Sequence, residues 1–154
     1  MGASFRIGQD AVVSKRDKVR ERVAATASQV LGPADVARVL LKGIKEEYLI
    51  VTDKELYIVK RGFATGNLLS ESVLSFQLNE IHRVYFEEGL LEGYLEVPDF
   101  DLQRSWTIAS APSDEAMHVP NVIPFDRHDG DLFREASVII NGTLIPKARA
   151  TNEQ

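Results

Sequence analysis

Residues 47–62, EYLIVTDKELYIVKRG, constrain this chain more than any other stretch. Two apolar runs, 48–51 and 56–59, consist mostly of β-branched and aromatic residues, and the polar break Thr52-Asp53-Lys54-Glu55 between them has the length of a turn. Gly62 closes the second run. Neither run is long enough for a helix, and neither approaches the ~18 apolar residues of a membrane span. An antiparallel hairpin is the reading these residues support. The hairpin speaks to scaffold rather than to chemistry.

With 154 residues the chain is expected to form one domain that buries a core without covalent staples. It has no cysteine, which excludes disulfides, thiolate catalysis and thiolate metal sites and fits a reducing compartment, so the expected location is cytoplasmic. The first residues, MGASFRIGQDAVV, show no apolar segment with a cleavage site, and Arg6 stands where a myristoylation motif at Gly2 needs Ser or Thr. The net charge of -5 is unevenly spread: residues 1–61 carry 12 basic and 8 acidic side chains, residues 62–154 carry 6 and 15. Because the basic front is interleaved with acids and the whole is acidic, no specific nucleic-acid partner is expected.

In chain order, residues 1–13 read as a loose arm. Ser14 and Asp17 have the spacing of a capping box, and Val19, Val23, Ala27 and Val30 recur at helical spacing, predicting a helix over 15–30 that Gly32-Pro33 stops. A first strand is expected at 37–41, followed by the hairpin. The glycine-punctuated loop 62–67 lacks the Gly-Lys-Ser/Thr of a phosphate cradle and reads as a turn. Residues 73–78, 81–86, 93–97 and 105–109 read as further strands, and 110–120 as a loop. A last helix is predicted over 131–144, with Leu132, Phe133, Ala136, Ile139 and Ile140 as its apolar stripe and Asn141-Gly142 weakening its end. Residues 146–154 read as a frayed tail.

This order, with the strings YLIVTDKELYIVKRG at 48–62, VLSFQLNEIHRVYFEEGLLEGYLEV at 73–97 and NVIPFDRHDGDLFREASVIIN at 121–141, resembles the bacterial pleckstrin-homology-like domains. The middle signature of that family is matched by Phe76, Ile81, Val84 and Gly89-Leu90-Leu91-Glu92-Gly93. The resemblance implies a mainly β fold: a bent seven-stranded antiparallel barrel or sandwich over 36–145, capped by a C-terminal helix. Residues 14–35 would add an N-terminal helix and linker. It also implies that 121–125 is the last strand, which moves the strand count by one. Familiar pleckstrin-homology domains, as distinct from the bacterial relatives, bind phosphoinositides through the loop joining their first two strands; the corresponding stretch here is Lys42-Gly43-Ile44-Lys45-Glu46-Glu47, whose acids lower the local potential.

Chemistry finds little purchase. The histidines at 82, 118 and 128 are scattered, and Asp126, His128, Asp129 and Asp131 match no calcium-loop spacing. No Gly-x-Ser-x-Gly elbow is present, and Glu87-Glu88 and Glu92 with Glu96 read as a solvated edge. The expectation is a non-enzymatic module, without cofactor or metal, that binds another protein or itself. The alternative is an anionic membrane surface or phosphoinositide-type headgroup. The candidate partner or anion contacts are Lys15, Arg16, Lys18, Arg20, Arg22, Lys42, Lys45, Lys60 and Arg61.

Overall fold

A computed structural model describes residues 5–62, 71–98 and 120–152, with side chains through 142. Strand β1 (Arg6–Val13) leads into helix α1 (Asp17–Val30), then β2 (Val36–Lys42), β3 (Glu47–Thr52), β4 (Glu55–Arg61) and β5 (Glu71–Gln77). A 3-10 turn (Leu78–Glu80) precedes β6 (Tyr85–Glu88), β7 (Glu92–Glu96) and β8 (Val122–Asp126). A second 3-10 turn (Arg127–Asp129) opens into helix α2 (Gly130–Asn152).

The strands form two sheets, β1-β2-β3-β4-β5 and β6-β7-β8. Every pair is antiparallel except β1 with β2, which is parallel. The expected bent seven-stranded antiparallel barrel is corrected in two respects. Among the described residues there are eight strands in two separate sheets, not a closed barrel, and one pairing is parallel. The eighth strand comes from the segment read as a loose arm. Parallel pairing needs a crossover, and α1 supplies it. The backbone of α2 runs as a helix through Asn152. The expected strand at 105–109 and nearly all of the loop at 110–120 lie outside the described residues.

The hairpin of β3 and β4 sits at the centre of the larger sheet, and every residue of β3 is buried. Thr52 holds its turn, its hydroxyl accepting from the backbone N–H groups of Lys54 (3.1 Å) and Glu55 (3.0 Å). Alternation then divides the hairpin between two apolar clusters. Leu49, Val51, Leu56 and Ile58 join a large core with Leu95, Ile123, Phe125, Phe133 and Ile140, contributed by the second sheet and α2. Tyr48, Ile50 and Val59 face the other way, onto Val23 and Ala27 of α1. In β2 a register shift between Ala37 and Val39 makes Arg38 an extra residue. As a result Ala37 joins the α1 side while Val39 joins the large core.

Two side-chain details explain where strands fail to form as expected. The stretch 81–84 is not strand; β6 starts only at Tyr85. Asn141 of α2 takes both backbone groups of Val84: its Oδ1 accepts from the N–H (2.9 Å) and its Nδ2 donates to the C=O (3.1 Å). A residue expected to weaken the helix end instead clamps the sheet to it. The capping box is likewise absent. Ser14 is buried with its N–H on the Leu40 carbonyl (3.0 Å), and Asp17 pairs with Arg20. The N-cap of α1 is Arg16, which makes no side-chain capping bond.

Candidate functional site

The uncapped start of α1 opens onto a pocket of about 520 Å³. Three elements converge there. Lys15 and Arg16 come from the turn entering α1, Lys42 from the end of β2, and Asp126, His128 and Asp129 from the end of β8 and the turn after it. The β2–β3 loop is held against β8 by backbone geometry. The Ile44 N–H donates to the Pro124 carbonyl at 3.0 Å, and a Cβ on Gly43 would meet that same oxygen at 2.6 Å. Only a glycine lets the two chains approach this closely.

Electrostatics in the pocket are mixed. Asp126 Oδ1 accepts from the His128 N–H at 2.9 Å and sits 2.7 Å from His128 Nδ1. The backbone bond, with the ring contact second, holds its carboxyl below the usual range. Burial pushes the Asp129 carboxyl up, against the opposing pull of Arg16. Three cations and the free N–H groups of a helix start favour an anionic group, and two carboxylates temper that preference.

Of the nine candidate contacts, the structure brings Lys15, Arg16 and Lys42 together around this pocket. Lys18 and Lys45 are exposed outside it. Arg20 is paired with Asp17, and Arg22 lies 3.4 Å from Glu46. Arg61 ties α1 to the sheet: it donates to Thr26 Oγ1 (3.2 Å) and Gln29, lies 3.4 Å from Glu71, and covers the Tyr48 ring. Lys60 is not a surface contact at all. It is 1% exposed, opposite Glu47 at 0%, with Nζ 3.6 Å from Glu47 Oε2. Burial lowers the Lys60 amine to about 8 and raises the Glu47 carboxyl, each against the attraction of the other.

Sequence reasoning missed a second feature. The turn joining β6 to β7 is closed by the Gly89 N–H donating to the Glu92 carbonyl (2.8 Å), and the Arg127 N–H donates to the Leu91 carbonyl (3.0 Å). At its tip Leu90 and Leu91 are 89% and 75% exposed. Such turns ordinarily carry Gly, Asn, Asp or Pro. The signal is present in the sequence as Gly89-Leu90-Leu91-Glu92-Gly93, two leucines between turn-forming glycines. Gly93 is structural: a Cβ there would collide with the Phe125 ring and lie 2.6 Å from the Glu87 carbonyl.

Among the described residues, no three His, Asp or Glu side chains gather as a metal-binding set, and no helix is long and apolar enough to cross a membrane. No family model, no curated protein and no solved structure matches the chain.

Proposed function

We propose that this chain is a non-enzymatic binding and assembly module of pleckstrin-homology-like architecture, whose working surface is a contact with protein. The observation that carries the reading is the exposed leucine pair, Leu90 and Leu91, on a hydrogen-bonded turn that presents it outward. Two adjacent large apolar side chains exposed on one turn are the kind of surface that interfaces use. The architectural part is supported by the order of elements: a four-stranded meander β2–β5, a three-stranded meander β6–β8, then α2, with β1 and α1 added in front. Sedimentation velocity over a hundredfold range of concentration tests the reading. Assembly predicts a coefficient that climbs with concentration; a single 17.2 kDa species throughout, with no partner retained by the immobilised chain, contradicts it.

A second reading, attachment to an anionic lipid surface, is favoured by the meeting of Lys15, Arg16 and Lys42 at the uncapped start of α1. Cosedimentation with phosphatidylserine vesicles at low and physiological salt decides it. Salt-sensitive binding lost in Lys15→Ala/Arg16→Ala/Lys42→Ala supports this reading, and no binding at low salt removes it.

A further inference from the structure

The pocket at the start of α1 holds its own counter-charge, and part of that counter-charge titrates. Lys15, Arg16 and Lys42 line it from the turn entering α1 and from the end of β2. Asp126 and Asp129 line it from the end of β8 and the turn that follows. Three cations against two carboxylates leave one net positive charge. His128 lines the same pocket, its side chain 86% exposed and its Nδ1 2.7 Å from Asp126 Oδ1. Imidazole is the side chain that changes charge between about pH 5 and 8. With the ring protonated, this contact becomes an ion pair, and Asp126 is matched by His128 instead of opposing the pocket's cations. Asp129 is half-buried, and Arg16, Lys42, Asp126 and His128 all act on its carboxyl. Burial pushes that carboxyl up, so it takes a proton more readily than an exposed aspartate.

We infer that Asp126, His128 and Asp129 form a pH-sensitive brake on this pocket, through which Lys15, Arg16 and Lys42 hold an anionic lipid surface weakly at neutral pH and tightly in mild acid. This deepens the lipid-surface reading, as the regulation of that same site, and rests on it. Protonation of His128 adds a positive charge to the lining, and protonation of Asp129 removes a negative one. Together they carry the net charge of the lining from one to three. Each unit of charge beside an anionic bilayer changes attachment about fivefold. With the second step incomplete in mild acid, the combined gain is roughly tenfold. The coupling is reciprocal: a bound anionic surface favours the protonated forms of His128 and Asp129, so attachment and proton uptake reinforce each other.

The test cosediments the full-length chain with phosphatidylcholine vesicles containing phosphatidylserine, at low salt and at about pH 7.5 and about pH 5.5. Wild type is expected to attach roughly tenfold more strongly at the lower pH. That gain should vanish in Lys15→Ala/Arg16→Ala/Lys42→Ala. His128→Gln/Asp129→Asn is expected to bind equally at both pH values and, with one carboxylate gone, about fivefold more tightly than wild type at the higher one. A turn with a purely structural role would not yield tighter binding when altered. His128→Gln alone, at an exposed side chain, should lose part of the gain, and His82→Gln, also exposed, should keep all of it. Circular dichroism melts at both pH values confirm that each variant folds, and the single variants carry the test if the double one does not. If wild type attaches equally at both pH values, this inference fails while the lipid-surface reading stands. If the gain persists in full without His128 and Asp129, the sensing groups lie elsewhere and the inference fails in the same way. If wild type binds no vesicle at either pH, both the inference and the reading it rests on fail.

Discussion

The two faces of the β3–β4 hairpin are packed in different ways. Toward α2 and the second sheet, Leu49, Val51, Leu56 and Ile58 enter a continuous aliphatic and aromatic core, within which Phe125 stacks on Phe133 at 4.5 Å and on Phe86 at 5.4 Å. Toward α1 the cluster is smaller, and α1 itself contributes Val23 and Ala27 to it, with Val19, Ala24 and Val30 packed against it. Polar ties such as Arg61 to Thr26 and Gln29 sit at its margin. One face holds the fold together. The other attaches an added helix.

The steepest test of that contrast is Phe133→Ala, which removes a fully buried ring from the α2 face. It is expected to cost about 3–5 kcal/mol of global stability in urea unfolding. A loss confined to local exchange of α2 would break the contrast.

Lys60→Met comes next, at roughly 3 kcal/mol near neutral pH, because it leaves Glu47 buried without its cationic partner. The pH dependence has a definite sign. The Lys60 amine titrates near 8 when folded and near 10.5 when unfolded, so within that window the unfolded chain binds the extra proton. Stability from this group therefore rises with pH across the window, and wild type should gain on Lys60→Met between pH 8 and 10.5. A gap that narrows there is the contrary result.

Asn141→Ala orphans both backbone groups of Val84 and is expected to cost about 1–3 kcal/mol. Its thermal melt should fall while α1 exchange is unchanged relative to the global rate. Val23→Ala, on the α1 face, is the mildest, at roughly 1.5 kcal/mol for the carbon atoms lost from a buried site. Hydrogen exchange should show α1 opening more readily while β3 and β4 keep their protection. Equal loosening of the hairpin would erase the distinction between the faces.

The same contrast marks what could be read in the sequence. The hairpin was legible because its two runs are β-branched and aromatic on both faces, and the helical stripe of α1 was legible from Val19, Val23 and Ala27. β1 was not. RIGQDAVV interrupts its apolar residues with Gly8, Gln9 and Asp10, and its parallel pairing with β2 exists only once α1 has carried the chain across. The strand expected at 81–86 begins only at Tyr85, and ahead of it a distant asparagine takes the backbone of Val84, a tertiary effect that no local pattern carries. Of the candidate contacts, Lys15, Arg16 and Lys42 were visible as charges. Their gathering depends on the pairing of β1 with β2, which sets Ser14 on the Leu40 carbonyl and so brings Lys15 and Arg16 to Lys42. Lys60 misled because a lysine at the end of a strand ordinarily reaches water, whereas this one lies opposite Glu47 inside the sheet.

Hydrogen exchange of the wild-type chain at low and high concentration tests most directly whether its exposed surfaces exist for assembly. The account predicts that amides of the Gly89–Glu92 turn slow as concentration rises, while those of β3 and β4 stay as they are, and unchanged exchange at the turn would contradict it.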